Sequence, residues 1–231
     1  MSYFRSYFEK NNTIVKNTQI NTAKNPTTEI FYGSGFSKFI FKVDLSDLTT
    51  KVQNAELIVN SGTTHTLHLT NTIFASESFL GSKTGTGKQR ATSFDLILFQ
   101  INEDWDEGIG YDYEESGLSY KSGNYSIVKT PSNWFYKNTL DTWVVPGIYT
   151  TGATIVETIH FDNGNENINV DITDYVNGVL TGDTDNGLGL AFSLIFEVLS
   201  PDNDQSVSFF TKYTQTFFEP FVETVFEDTI E

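Results

Sequence analysis

The sequence predicts an all-β protein: a jelly-roll β sandwich of two antiparallel sheets with one short helix. Three observations predict it. Short segments alternating apolar and polar residues recur between turn-forming clusters of Gly, Asn, Asp and Ser. Aromatic residues make up 15% of the chain, with Phe 20 and Tyr 11, a composition suited to strands. The stretch 169–199 reads as strand, helix, turn and long strand in unbroken succession.

Residues 1–12 place Tyr3, Phe4, Tyr7 and Phe8 at i, i+1, i+4 and i+5, which predicts four rings on one face of a short helix. The expected division is therefore an N-terminal aromatic arm over 1–12 and a jelly-roll domain over 13–231. The arm either folds back over its own sheet edge or docks on a neighbouring subunit. Burying each ring is worth ~1.5–3 kcal/mol, and the chain beyond Thr13 suffices to close a core, so Tyr3, Phe4, Tyr7 and Phe8 are candidate assembly residues.

Thr13 to Thr28 reads as an edge strand and loop, and Gly33-Ser34-Gly35 as a turn. Phe39, Phe41 and Val43 alternate with Ile40, Lys42 and Asp44, a strand ending in Asp44-Leu45-Ser46-Asp47-Leu48; further strands are expected at Ala55–Asn60 and Thr64–Ile73, with a flexible tip at 81–87 and no helix. Ser93 to Ile101 is a strong strand running into an acidic loop. Ser132 to Val145 carries Trp134 and Trp143 before a Pro146-Gly147 turn, and Ile155–Phe161 is a strand closed by a hairpin-type loop at 162–167.

Asn169 to Ile172 alternates as a half-buried strand, and the Thr173 hydroxyl is placed to cap a helix. Tyr175, Val176, Val179 and Leu180 share one face of that helix, with Asn177 outward, and Gly182 stops it. Asp183 to Gly187 is turn chemistry. Leu188 to Leu199 is apolar enough for a strand buried on both sides, and strands at 206–213 and 221–226 finish the chain.

The 231 residues include no cysteine, so the core must stand without disulfides. Lys+Arg 14 against Asp+Glu 30 gives a net charge of -16, which opposes nucleic acid and anionic membranes as partners and favours basic proteins or divalent cations. No apolar run approaches the ~18 residues of a membrane span, and the first residues lack a signal-type apolar core; a soluble, non-exported protein is expected.

Glu103, Asp104, Asp106 and Glu107 crowd carboxylates around Trp105, with Asp112, Glu114 and Glu115 following. Hard oxygen ligands at this density suit Ca²⁺, the alternative being a solvated loop with Trp105 tucked into the sandwich; the regular spacing of an EF-hand is absent. Tyr111, Tyr113, Trp134 and Trp143 form either a sugar-stacking platform or core. His65 and His68 fall on opposite strand faces, His160 belongs to no acid or nucleophile motif, and no nucleophile elbow, P-loop or zinc signature occurs, so no enzyme is expected.

The order of these signals resembles the DNRLRE-type jelly-roll module, related to carbohydrate-binding modules and found in cell-wall and tailed-phage structural proteins. The likeness rests on Phe39-Ile40-Phe41-Lys42-Val43-Asp44-Leu45-Ser46, on Asn54-Ala55-Glu56-Leu57, on Ile101 to Glu107 around Trp105, on Ser132-Asn133-Trp134 with Trp143 to Gly147, and on Val170-Asp171-Ile172-Thr173 with Asn186-Gly187-Leu188. Thr211-Lys212-Tyr213 and Glu219-Pro220 stand where the family carries its charged signature. The resemblance implies a non-enzymatic structural component of a tailed-phage virion, in the neck, collar, tail or a fibre, assembling with other virion proteins as a homo-oligomeric ring or shell. The alternative it implies is a carbohydrate-binding module holding a surface glycan. In neither reading is a cofactor implied beyond Ca²⁺.

Overall fold

The computed structural model describes residues 2–32, 35–57, 62–72, 89–90, 93–110, 132–148, 153–193 and 205–226. Among the described residues eleven strands carry the fold: β1 (Ser2–Val15), β2 (Thr27–Tyr32), β3 (Ser37–Val43), β4 (Thr64–Leu69), β5 (Gln89–Arg90), β6 (Phe94–Gln100), β7 (Ile155–Phe161), β8 (Ile168–Asp171), β9 (Leu188–Phe192), β10 (Gln205–Phe210) and β11 (Phe221–Phe226). Eight of them form one antiparallel sheet in the order β7-β6-β9-β3-β1-β11-β4-β8. Its end strands β7 and β8 come near each other, so the sheet is nearly closed. A smaller sheet, β2-β10-β5, packs beside it, with β10 and β5 parallel.

The N-terminal segment corrects the helix expected there. Ser2 to Val15 is one extended strand that crosses the boundary drawn at residue 12 without a break. Its first half pairs with β11, Ser2 opposite Phe226 through Tyr7 opposite Phe221; its second half pairs with β3, Phe8 opposite Val43 through Val15 opposite Ser37, across a bulge after Phe8. Strand alternation splits the four rings. Phe8 is buried and Phe4 packs on the core, whereas Tyr3 and Tyr7 face outward. The Phe8 ring lies on that of Phe41 with centroids 4.5 Å apart and planes 4° from parallel.

The core is lined by the inward positions the alternation predicts: Phe39, Phe41, Leu67, Leu69, Phe94, Leu96, Leu98, Leu188, Leu190, Val207, Phe209 and Val222 are all buried. β9 is buried along its whole described length; residues 194–199 of the expected strand lie outside the described residues. β7 and β8, joined by the loop 162–167, share no ladder, so that loop is not a hairpin turn.

Among the described residues there are two helices rather than one. α1 (Ser46–Gln53) occupies the end of the expected strand. It starts because the Asp44 carboxylate accepts the Ser46 N–H at 3.0 Å and the Ser46 hydroxyl at 2.6 Å, turning the chain, and because Leu48 is then buried in the core. Ala55 to Leu57 leaves that helix as a turn, not as a strand. α2 (Thr173–Thr181) lies where expected, with Val176 buried and Tyr175, Val179 and Leu180 packed against the core, and it ends on Gly182 at φ 116°. Its start differs: the Asp171 carboxylate accepts the Thr173 N–H at 2.8 Å, while the Thr173 hydroxyl accepts the His65 N–H from β4 at 2.9 Å. Asn177 is not outward; its Oδ1 meets His65 Nε2 at 3.2 Å, and His65 Nδ1 meets the Thr224 hydroxyl at 2.8 Å. Among the described residues no helix is long and apolar enough to cross a membrane.

Phe8→Ala should destabilise the fold by about 3–4 kcal/mol in urea unfolding, against less than about 1 kcal/mol for Tyr3→Ser, because only the first opens a cavity in the core. A second outcome concerns pH. Burial holds the His65 imidazolium below its ordinary range, so the unfolded chain binds the proton first as pH falls. The stability is complete above about pH 6.5 and is lost as pH drops from there through the folded value. The urea midpoint should fall more between pH 7.5 and 5 for the native chain than for His65→Gln.

Candidate functional site

The acidic loop after β6 is a structural hub. Glu103 accepts the Lys137 ammonium at 2.9 Å through Oε2 and the Val144 N–H at 2.9 Å through Oε1. Asp104 accepts Lys10 at 3.0 Å and the Trp105 N–H at 2.9 Å. Its carboxyl is held below the ordinary range by the Lys10 hydrogen bond. The Asp106 N–H donates to the Lys137 carbonyl at 2.9 Å, leaving its carboxylate exposed. Glu107 accepts the backbone N–H of Asn11 at 2.9 Å, Lys24 at 2.7 Å and the Tyr213 hydroxyl at 2.6 Å, with Lys212 3.7 Å away. Of the four carboxylates that a Ca²⁺ site would bring together, Glu103, Asp104 and Glu107 thus turn to different partners and Asp106 faces outward. Among the described residues no group of three or more acidic or histidine side chains takes up a metal-holding arrangement. Asp112, Glu114 and Glu115 lie outside the described residues.

Around Glu107 the contacts span the chain. Lys24 donates to the Tyr213 hydroxyl as well as to Glu107, and stands 4.1 Å from the centre of the Tyr213 ring. Burial draws the Lys24 ammonium down, but its bonds to Glu107 and Tyr213 outweigh this and hold it above its usual value. Burial and the Glu107 charge push the Tyr213 hydroxyl up, so it stays a donor. Beneath lies a set of buried amides. Asn12 Nδ2 donates to the Ser132 carbonyl at 2.7 Å, Asn21 Nδ2 donates to that carbonyl and to the Glu107 carbonyl at 2.9 Å each, and Asn11 Nδ2 donates to the Ala23 carbonyl at 2.8 Å.

The tryptophans are core, not platform. Trp105, Trp134 and Trp143 are buried together with Ile14, Ile40 and Ile101. Trp105 Nε1 donates to the Asn186 carbonyl at 2.9 Å and Trp143 Nε1 to that of Asn133 at 2.8 Å. Gly147, at φ 78°, lies flat against the Trp134 ring where any side chain would collide. Tyr111 and Tyr113 lie outside the described residues. His160 meets two carboxylates, Asp95 across the β6–β7 ladder at 2.7 Å and Asp162, two residues on, at 3.3 Å, and the Asp95 hydrogen bond raises its imidazole.

Apart from Ile109, Ile155 and Phe217, the exposed large apolar side chains of the described residues fall on two surfaces. On the outer face of β1, β11 and β4, cross-strand register sets Tyr7 beside Phe221 and Phe221 beside His68, with ring centroids 6.2 and 4.7 Å apart. Arg5 lies 4.4 Å over the Phe221 ring and Tyr3 sits opposite Val225. Tyr3 is 65% and Tyr7 45% exposed. Of the four candidate assembly residues, the strand therefore brings Tyr3 and Tyr7 to one surface and turns Phe4 and Phe8 away. The second surface is the loop 138–145, where Leu140 is 88% and Val144 83% exposed. That loop is pinned by Glu103 at Val144 and by Asn138 Oδ1, which accepts the N–H groups of Leu140 and Asp141 at 2.8 and 2.7 Å. The register signal for the first surface was in the sequence once β1 is read as a strand; the second depends on a contact between residues 103 and 144 that no local pattern announces.

The sequence matches no protein-family model and no curated protein. Glu107→Gln should lower stability by about 2–3 kcal/mol in urea unfolding, since it leaves Lys24 part-buried without its counter-charge. The double variant Lys24→Met with Glu107→Gln should recover part of that loss.

Proposed function

We propose that this chain is a non-catalytic structural component of a tailed-phage virion, built on a jelly-roll-type frame and acting through protein–protein assembly, as a homo-oligomeric ring or shell with other virion proteins. The observation that carries it is the outer face of β1, β11 and β4. There Tyr3, Tyr7 and Phe221 are held by cross-strand pairing in a rigid row, and each such side chain, once covered, contributes about 1.5–3 kcal/mol. Leu140 and Val144 present a second apolar tip on a pinned loop. The likeness to DNRLRE-type modules of virion proteins supports the same reading. Glu103, Asp104 and Glu107 each engage a lysine and so hold the loops in place. The net charge of -16 repels nucleic acid and anionic lipid.

A carbohydrate-binding role is the second reading, favoured by the near-parallel Phe221 and His68 rings, 20° apart, with Asn169 alongside. One variant separates the two. Tyr3→Ser with Tyr7→Ser should weaken self-association at least tenfold by analytical ultracentrifugation, with a thermal midpoint within about 3 °C of the native chain because both side chains lie outside the core. Unchanged self-association rejects the assembly reading. Glycan-array binding by a monomer that disappears in this variant together with Phe221→Ser supports the second.

A further inference from the structure

The nearly closed sheet has a seam, and one end of the seam is open. Each of the seven neighbouring pairs from β7 to β8 is antiparallel, so β7 and β8 run in opposite directions, joined by the loop 162–167 but without a ladder between them. At the ends away from that loop, the start of β7 faces α2, which follows β8. Between them is a cleft of about 520 Å³. Ile155, at the β7 end, is 52% exposed. β7 is the last strand of the order, so its outer edge has no strand beside it among the described residues. Further along that edge the Glu157 carboxylate accepts the Thr158 N–H at 2.9 Å, which blunts it; the cleft is where the edge stays approachable.

The lining decides what fits. Asp174 and Asp183 are exposed on one wall, the amides of Gln100 and Asn102 stand on another, and no lysine or arginine lines the cleft among the described residues. On a chain of net charge -16 this is a site for a cation. The aromatic residue that lines the cleft among the described residues, Tyr175, is tied by its hydroxyl to Asp185 at 2.6 Å and packs its ring against the core, which leaves little of its face for stacking a sugar. An exposed Ile beside a strand edge, amides for backbone groups and two carboxylates match an extended polypeptide instead.

Resting on the assembly reading, we propose that this cleft receives an extended segment of a partner protein bearing several lysines or arginines, which lies along the start of β7 and sets its cations against Asp174 and Asp183 at the two ends of α2. The test is fluorescence anisotropy of the full chain with a labelled (Lys-Val)₃ hexapeptide and its (Glu-Val)₃ counterpart. The lysine peptide should bind, and the glutamate peptide should not. Asp174→Asn with Asp183→Asn should weaken binding at least tenfold, as should Ile155→Lys. Asp47→Asn with Glu56→Gln, which removes two exposed carboxylates on and just after α1, should change it less than twofold. Equal weakening by both double variants would reveal attraction to net charge alone and overturn the proposal. So would chitohexaose binding that is lost on Asp174→Asn with Asp183→Asn while the peptide fails to bind, the mark of a glycan cleft. Absence of peptide binding, together with loss of self-association in the Tyr3→Ser, Tyr7→Ser variant, overturns the cleft inference and leaves the assembly reading standing.

Discussion

β1 is the constraint on which the structure depends. A single strand serves two neighbours in succession, β11 along Ser2–Tyr7 and β3 along Phe8–Val15, and the bulge after Phe8 lets it change partner. The consequence is that, among the described residues, its second half has a ladder on one side only. Backbone donors left over in a buried place must find acceptors. Here a side chain supplies one: the Asn11 N–H goes to the Glu107 carboxylate. Asn12 and Asn21 then carry the connection to Ser132 and to the backbone of the acidic loop. The loop thus completes the strand, and its carboxylates follow from the chemistry of that edge.

This explains why the two ends of the chain depend on one another. Lys24 follows β1, Glu107 follows β6 and Tyr213 follows β10, yet the three share two hydrogen bonds to one carboxylate oxygen. Lys212 adds a bond to the Glu9 carbonyl, and its N–H donates to Asn11 Oδ1 at 3.0 Å. A charge buried in such company is costly to unpair and only modestly favourable to keep, so the network fixes where the loops sit more than it adds to stability.

The sequence was legible wherever a local period was decisive. Strands β6, β8, β9, β10 and β11 and helix α2 follow from alternation or from helical spacing. The N-terminus failed for a definable reason: a separation of four residues puts side chains on the same face in both a helix and a strand, so Tyr3 with Tyr7 and Phe4 with Phe8 fit either. Only the pairing with β11 and β3 decides between them. α1 was hidden because Asp44 sits at the end of an alternating run, and its side chain, not the apolar pattern, turns the chain. At the candidate site the density of carboxylates was visible, but their partners from other segments lie 34 to 106 residues away in sequence, and nothing local distinguishes a carboxylate that meets a lysine from one that awaits an ion.

The distribution of charge follows from the same economy. Lys10, Lys24, Lys137 and Lys212 direct their ammonium groups to carboxylates or carbonyls within the fold, and Lys42 is bound to Glu9 at 3.1 Å. With only 14 basic residues against 30 acidic ones, each lysine paired within the fold leaves fewer basic groups to answer the remaining carboxylates, and the net charge of -16 stands. Two copies of such a surface repel unless the contact is apolar or the partner brings cations. The outer face of β1 and β11 satisfies the first condition, because its Arg5 pairs with Glu223 at 3.5 Å and the rest of its exposed row is rings and Val225. The cleft beside α2 satisfies the second. A fold that uses its lysines to hold its own loops keeps few cations for its surface, and what it leaves exposed is the apolar row of β1 and β11 on one side and the carboxylates beside α2 on another.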